Sequence, residues 1–586
     1  MSIIPGKERI AMALQATKDR LLAERHESGM WRGELSSSAL ATATAVLALR
    51  LVDPAAHEEA AQGGLRWLAA TQCADGGWGD TTLSLPNIST TLLCWAAFGG
   101  SEGLFPETVQ ACQQWIQKQA GGLEPATLAE SLRRRYGKDQ TFSVPILMAC
   151  ALGGRLGPAP RCWKLVPQLP FQLAALPRQW FAALSLPVVS YALPALVAIG
   201  QVRHFHSPTG PGRWMRSLVR ERTLRLLAEI QPDGGGYLEA TPLTSFVTMA
   251  LAGMELKSHP VAQQGVGFLL RSRRADGSWP IDTDLATWGT TLAVKALGPN
   301  ADLNRSAIRE WLLQQQFRET HPYTLSAPGG WAWTDLPGGV PDADDTSGAL
   351  LALGNLGADP RLSEAVSRGI NWLLQLQNHD GGMPTFCRGW GTLPFDRSSP
   401  ELTAHALAAW SRWPRSHPRL AAASRRALRF LQKHQQPDGA WEPLWFGNQW
   451  CPQELNLVYG TAAVLRDLCL LKAAEFPEIL PLRRRAAAFL QHSQHHNGGW
   501  GGRVAEHASI EETALALQSL VRQARLEPDT VDHAKLDLGT TRLLDLTRDG
   551  TCFPAAPIGL YFARLWYHER LYPTIWTVAA LREVAE

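Results

Sequence analysis

Gln72-Cys-Ala-Asp-Gly-Gly-Trp78 is a copy of a phrase that recurs along this chain: a helix end carrying Gln, a turn with Gly, then a large side chain. It returns as Gln231-Pro-Asp-Gly-Gly-Gly-Tyr237, as Arg274-Ala-Asp-Gly-Ser-Trp279 with the Gln lost, and as Gln377-Asn-His-Asp-Gly-Gly-Met383. Two more copies read Gln436-Pro-Asp-Gly-Ala-Trp441 and Gln494-His-His-Asn-Gly-Gly-Trp500. A looser copy ends at Trp31, and Gly329-Gly-Trp-Ala-Trp333 supplies another. From Trp279 the intervals are 52 residues to Trp331, 52 to Met383, 58 to Trp441 and 59 to Trp500. Such a period marks repeated supersecondary units, each needing its neighbours to bury an apolar face. Between the phrases lie helical patterns, at Thr90–Ala97, Leu285–Leu297, Thr346–Leu356 and Leu402–Trp410. Asp-Gly and Gly-Gly stop one helix in a left-handed turn, and the next begins some residues later. Strand-type alternation is scarce. The expected fold is all-α, a toroid of paired helices.

The chain has 586 residues, 45% of them hydrophobic and 19% charged, enough to bury large cores in two to four domains. Its net charge of +3 is spread without basic blocks, which argues against a nucleic-acid partner. Nine Cys show no Cys-x-x-Cys pair, consistent with a reduced cytoplasmic compartment. The first residues carry an amphipathic helical period and no signal-peptide core. Trp180–Gly200 has no formal charge over 21 residues, but Pro187 and Pro194 interrupt it. We read it as a buried or membrane-contacting segment, giving peripheral membrane association. The 23 Trp against 17 Phe and 8 Tyr point to a demand for large, inert π surfaces.

Asp342-Ala-Asp-Asp345 places three carboxylates in four positions at the start of an apolar helix. Helix capping explains one or two of them. Three repel one another, and like charges at short range raise the pKa of one member, which suits a general acid kept protonated. Downstream, Glu401-Leu-Thr-Ala-His405 puts an acid and an imidazole on one helical face.

The repeats and Pro341-Asp-Ala-Asp-Asp-Thr346, with Gly29-Met-Trp-Arg-Gly-Glu34, Ser89-Thr-Thr91 and Gly550-Thr-Cys-Phe-Pro554, resemble the squalene–hopene cyclase family of class II terpene cyclases. The resemblance runs over nearly the whole chain. It implies two α/α barrels, one inserted into the other. Residues 1–20 would be a helix joining the catalytic barrel, 21–285 the inserted barrel, and 286–586 the catalytic barrel. It implies protonation of an unactivated alkene by Asp344, flanked by Asp342 and Asp345, with no metal and no cofactor. His405, held charged by Glu401, would stabilise the Asp344 carboxylate. Trp288, Trp333, Phe386, Trp450 and Phe553 match aromatic pocket positions, and Tyr561, Trp566 and Tyr567 lie in the family's C-terminal aromatic cluster. Trp78, Trp279, Trp441 and Trp500, which close repeats, read as structural.

The chain also departs from the family. Charged positions that hold water in hopene-forming members fall at Thr44, Leu93 and the neighbourhood of Pro145, and an expected Trp falls at Ala183. The expected substrate is therefore a hydrophobic polyprenoid, most simply squalene, and the expected product is not hopene. Asp344-Asp-Thr-Ser-Gly348 lacks the last acid of an Asp-Asp-x-x-Asp metal site. The alternatives are a non-catalytic isoprenoid-binding toroid and a zinc prenyltransferase β-subunit using Asp467, Cys469 and His533. A homodimer is compatible with this reading.

Overall fold

The computed structural model describes residues 6–137, 140–183, 188–210, 212–299, 301, 303–389, 391, 393–559 and 564–586. Two kinds of helix build it. Helices rich in Ala, Leu and Thr on every side, such as Ile88–Ala97 and Pro400–Arg412, are buried along almost their whole length. Others, such as Leu362–Leu376 and Leu420–His434, bury one stripe at three- and four-residue intervals and expose the rest. The first kind forms inner rings and the second an outer layer.

Ala39–Val52 packs on Ile88–Ala97, that helix on Gln140–Leu152, then come Val188–His206 and Thr241–Gly253, which returns to Ala39–Val52. A second ring runs Ala286–Leu297, Ala343–Asn355, Pro400–Arg412, Leu457–Leu468, Ile510–Leu526 and Tyr572–Ala585, which closes on Ala286–Leu297. Helix Lys7–Ala23 packs against Tyr572–Ala585, so the chain starts in the outer layer of the second ring. It then crosses to build the first. Ser37–Ser38 pairs antiparallel with Trp279–Pro280, in register Ser37 to Pro280, and ties together the two ends of the first ring. The fold is an all-α double α/α barrel.

The recurring phrase is a joint between repeats. In most copies that keep the Gln, its amide donates to the Gly carbonyl four residues on and to a carbonyl of the next outer helix. Gln72 reaches Gly76 at 2.8 Å and Thr108 at 3.0 Å, and Gln494 reaches Gly498 and Lys535. The Trp indole N–H donates ten residues back, from Trp78 to Leu68 and from Trp500 to Leu490. Its backbone N–H donates to a Thr hydroxyl on the next inner helix, Thr91 and Thr513 in those copies. The turn needs Gly: at Gly76, with φ +93°, a Cβ would lie 2.6 Å from the Ala111 carbonyl oxygen. Two assignments within the repeats shift. Gln435, not Gln436, makes the bonds of the Trp441 copy, reaching Gly439 and Leu482, because the bond requires a four-residue reach to the Gly carbonyl. The Trp331 copy does own a Gln, Gln316, separated from Gly329 by an excursion of the chain.

Among the described residues no helix is long and apolar enough to cross a membrane. Within 180–200 the chain forms parts of two helices, Arg178–Ala183 and Val188–His206, the latter belonging to the first inner ring.

Candidate active site

Asp342 caps helix Ala343–Asn355, its Oδ1 accepting the backbone N–H of Asp344 at 2.9 Å and of Asp345 at 2.8 Å. That bond fixes the first turn and aims the next two carboxyls. Asp342 and Asp345 are buried, whereas the Asp344 side chain keeps 25% of its surface open. Burial lifts Asp342 to about 7, and burial with the Asp342 charge beside it lifts Asp345 well above the usual carboxylate range.

Asp344 Oδ1 lies 2.5 Å from Nδ1 of His405, which comes from helix Pro400–Arg412 and is 2% exposed. Nε2 of the same ring lies 3.0 Å from Lys295 Nζ, on helix Ala286–Leu297. Gly348 leaves room for Thr291, whose hydroxyl a Cβ there would meet at 2.9 Å, while His405 Cε1 would lie at ordinary contact distance, 3.6 Å. Burial first, and then the Lys295 charge, hold the imidazole below its ordinary pKa, against an opposing pull from Asp344.

The Asp cluster opens into a cavity of about 520 Å³ between the two rings, within the range of ligand pockets. The second ring and its turns supply Trp288, Trp333, Phe386, Trp445, Tyr567 and Tyr572. The first ring supplies an aliphatic and aromatic wall that includes Leu93, Pro145, Ile199 and Phe246. The charged side chains among the described lining residues are Asp282, Asp342, Asp344 and Asp345, with no Lys, Arg or His.

The family model of the squalene-hopene cyclase N-terminal domain matches residues 14–128, and that of the C-terminal domain matches 285–524. The chain belongs to the class II terpene cyclase family. It is 24% identical to the squalene–hopene cyclase of Alicyclobacillus acidocaldarius over 526 residues, 78% of each chain. It is 26% identical to enfumafungin synthase of Hormonema carpetanum, covering 87% of this chain and 44% of that one. The double barrel is shared with ent-copalyl diphosphate synthase from Streptomyces platensis, with a TM-score of 0.60 over 99% of both chains at 20% identity.

Against this family frame, the structure brings Asp342, Asp344, Asp345, Trp288, Trp333, Phe386 and Tyr567 together around one cavity, with His405 behind Asp344. Trp450, Phe553 and Trp566 are not at that wall. Trp450 is 40% exposed and stacks on His507 at 4.0 Å. Phe553 lies under Arg20, in a closing turn whose Gly550 abuts helix Lys7–Ala23. Trp566 is buried, with its backbone N–H on Asp80. Tyr561 lies outside the described residues, and so does the side chain of Ala183. Asp467 is held by Arg466 at 2.8 and 3.0 Å, so the carboxylate of the zinc alternative is already paired.

Glu401 corrects a further expectation. It shares a helical face with His405, but its Oε1 accepts the N–H of Leu444 at 2.7 Å and of Trp445 at 3.4 Å. The i, i+4 spacing aligns Cβ atoms without deciding where a flexible carboxyl turns. Glu401 thus anchors the turn that presents Trp445 to the cavity, whose indole N–H donates to Thr385. Glu401→Gln keeps an acceptor oxygen, so steady-state assays should show kcat within about threefold of wild type, since one neutral hydrogen bond replaces a charge-assisted one. A loss of 100-fold or more would instead place Glu401 in the proton-transfer chain. Sequence reading missed Trp445, Tyr572 and Lys295. The Lys295 signal is a lone charge inside Leu285–Leu297, a helix otherwise uncharged.

Proposed function

We propose that the protein cyclises an uncharged acyclic polyprene by protonation, with squalene as the first candidate and a polycycle other than hopene as the product. The observation that carries this reading is the Asp344–His405 pair opening into a cavity whose described walls offer carboxyls and aromatic faces but no cation for a diphosphate. Asp344 hands its proton to a terminal double bond. The π electrons form the new C–H bond, and a tertiary cation is left on the neighbouring carbon. The Asp344 carboxylate then receives the His405 Nδ1–H. Ring closures carry the cation along faces such as Trp288, Trp333 and Phe386, each worth about 0.5–2 kcal/mol without offering a lone pair that would trap it. Leu93 and Pro145, uncharged on the opposite wall, support a termination different from the hopene-forming one. We assign the acid to a catalytic barrel of Lys7–Ala23 plus 286–586, and the facing wall to an inserted barrel within 21–285.

Incubation with squalene and with C15–C35 polyprenols, with products read by mass spectrometry, tests the reading. A cyclic isomer of squalene is the expected result. Conversion of prenyl diphosphates with squalene untouched overturns the substrate class, and no conversion at all by folded protein returns the chain to non-catalytic binding.

Such a substrate partitions into bilayers, and the surface offers a place to meet one. Leu173, Leu176, Trp180, Phe205, Trp214 and Leu218 are exposed large apolar side chains. They sit on packed neighbours: Phe171–Ala175 lies against helix Arg213–Glu229, and Arg220 lies over the Phe205 ring. We propose that this patch rests on a membrane. Trp214→Ser/Leu218→Ser should lower co-sedimentation with phosphatidylcholine vesicles at least fivefold, and unchanged sedimentation would place the contact elsewhere.

A further inference from the structure

Lys295 has no evident structural duty. Its ammonium reaches the interior of the second ring, 5.7 Å from the Trp288 ring centroid, and its described hydrogen bond is to His405 Nε2. No carboxylate pairs with it among the described residues. Asp467, on the adjacent helix Leu457–Leu468, is taken bidentately by Arg466. An ammonium carries donors and no acceptor, so Nε2 opposite it must accept. The ring proton then resides on Nδ1, where it points at Asp344 Oδ1.

Resting on the cyclase reading above, we propose that Lys295 is the positioning residue of the acid: it locks a neutral His405 in the tautomer that donates to Asp344 and delivers its positive charge to that carboxyl through the ring. The cation that sharpens the acid is then an ammonium one residue removed, not an imidazolium in contact. A neutral donor stays fixed before and after the proton leaves Asp344. Lys295 thus places its charge near the acid, behind His405 and outside the cavity lining.

The arrangement has a pH signature. Burial, then the Arg466 charge, lower Lys295 to about 8, while Asp467, Asp344 and Asp345 oppose them. His405 faces it from helix Pro400–Arg412, Arg466, Asp467 and Tyr459 belong to Leu457–Leu468, and Arg582 and Glu583 to Tyr572–Ala585. The ammonium exists below that pH and is lost as pH rises through it, so kcat should fall on the alkaline side near pH 8. Lys295→Met should lower kcat about 100-fold with KM within twofold, as expected when a charge acts on the transition state alone. Lys295→Arg keeps its charge across the range, so it should recover most of kcat and lose the limb near 8. A limb near 8 that survives unchanged in the Arg variant overturns the assignment to Lys295.

These assays use squalene, with circular dichroism and thermal melting to certify folding. A folded Lys295→Met enzyme with unchanged kcat and pH profile overturns the proposal. A readout that needs no turnover guards against misfolded variants and against the wrong substrate: 15N spectra of histidine-labelled wild-type protein, with His405 assigned by loss of its signals in His405→Gln. A protonated Nδ1 and an acceptor Nε2 between pH 6 and 7.5 is the expected result, and a proton on Nε2 instead overturns the proposal. Two protonated nitrogens there overturn the proposal whatever the substrate proves to be. A wild-type protein that shows the expected tautomer yet leaves squalene untouched refutes the squalene reading alone.

Discussion

Asp344→Asn is expected to cut kcat by about 1,000-fold or more, at the upper end of what a general acid contributes. Asn preserves size and retains a carbonyl oxygen to receive the His405 Nδ1–H, so the fold and the helix cap made by Asp342 should stand. What disappears is the acidic proton aimed into the cavity. The measurement is single-turnover product formation beside a melting curve. A variant that melts like wild type and still cyclises at full rate removes Asp344 from the reaction. Asp345→Asn makes a useful contrast: burial and the Asp342 charge already push its buried carboxyl well above the usual carboxylate range, so replacing it by a neutral amide should cost less than the Asp344 change.

Trp441→Ala should produce the largest loss of stability among single changes outside the acid, about 3–5 kcal/mol. The indole is fully buried, and its N–H donates to Leu431 at 2.9 Å. Truncation leaves a cavity between the outer helix Leu420–His434 and the next inner helix, while the Leu431 carbonyl keeps the Gln435 N–H. The Gln435 bonds to Gly439 and Leu482 depend on the same turn. Urea unfolding of the two proteins gives the difference. A loss below about 1 kcal/mol would mean that the joint is not what fixes neighbouring repeats.

The double barrel was legible because its joints are written in residue types that few other geometries require: Gly at a positive φ against a backbone carbonyl, then Trp closing on the helix before it. The carboxylate cluster was legible for a related reason, since three carboxylates in one capping turn exceed what a helix end needs. His405 followed from its spacing in the family motif. Other parts were hidden by the reach of side chains. Lys295 sits in the last turn of its helix, where a lysine ordinarily complements the dipole, and sequence cannot tell an inward ammonium from a solvated one. Glu401 is i, i+4 to His405, yet two backbone N–H groups from a distant turn capture it. Phe553 and Trp450 were misplaced because aromatic residues in Gly-rich segments serve turns and rims as readily as cavities.

The cavity's two walls come from different rings, and this divides the labour of evolution. The residues proposed to start the reaction, from Lys295 through His405 to Asp344, hang on helices of the second ring. The opposite half of the mould, with Leu93, Pro145, Ile199 and Phe246, comes from an insertion anchored by a two-residue ribbon at Ser37–Ser38 and Trp279–Pro280. Bulk can therefore be exchanged on that half to change how far a polyene folds before it quenches, while the ignition chemistry is left as it stands.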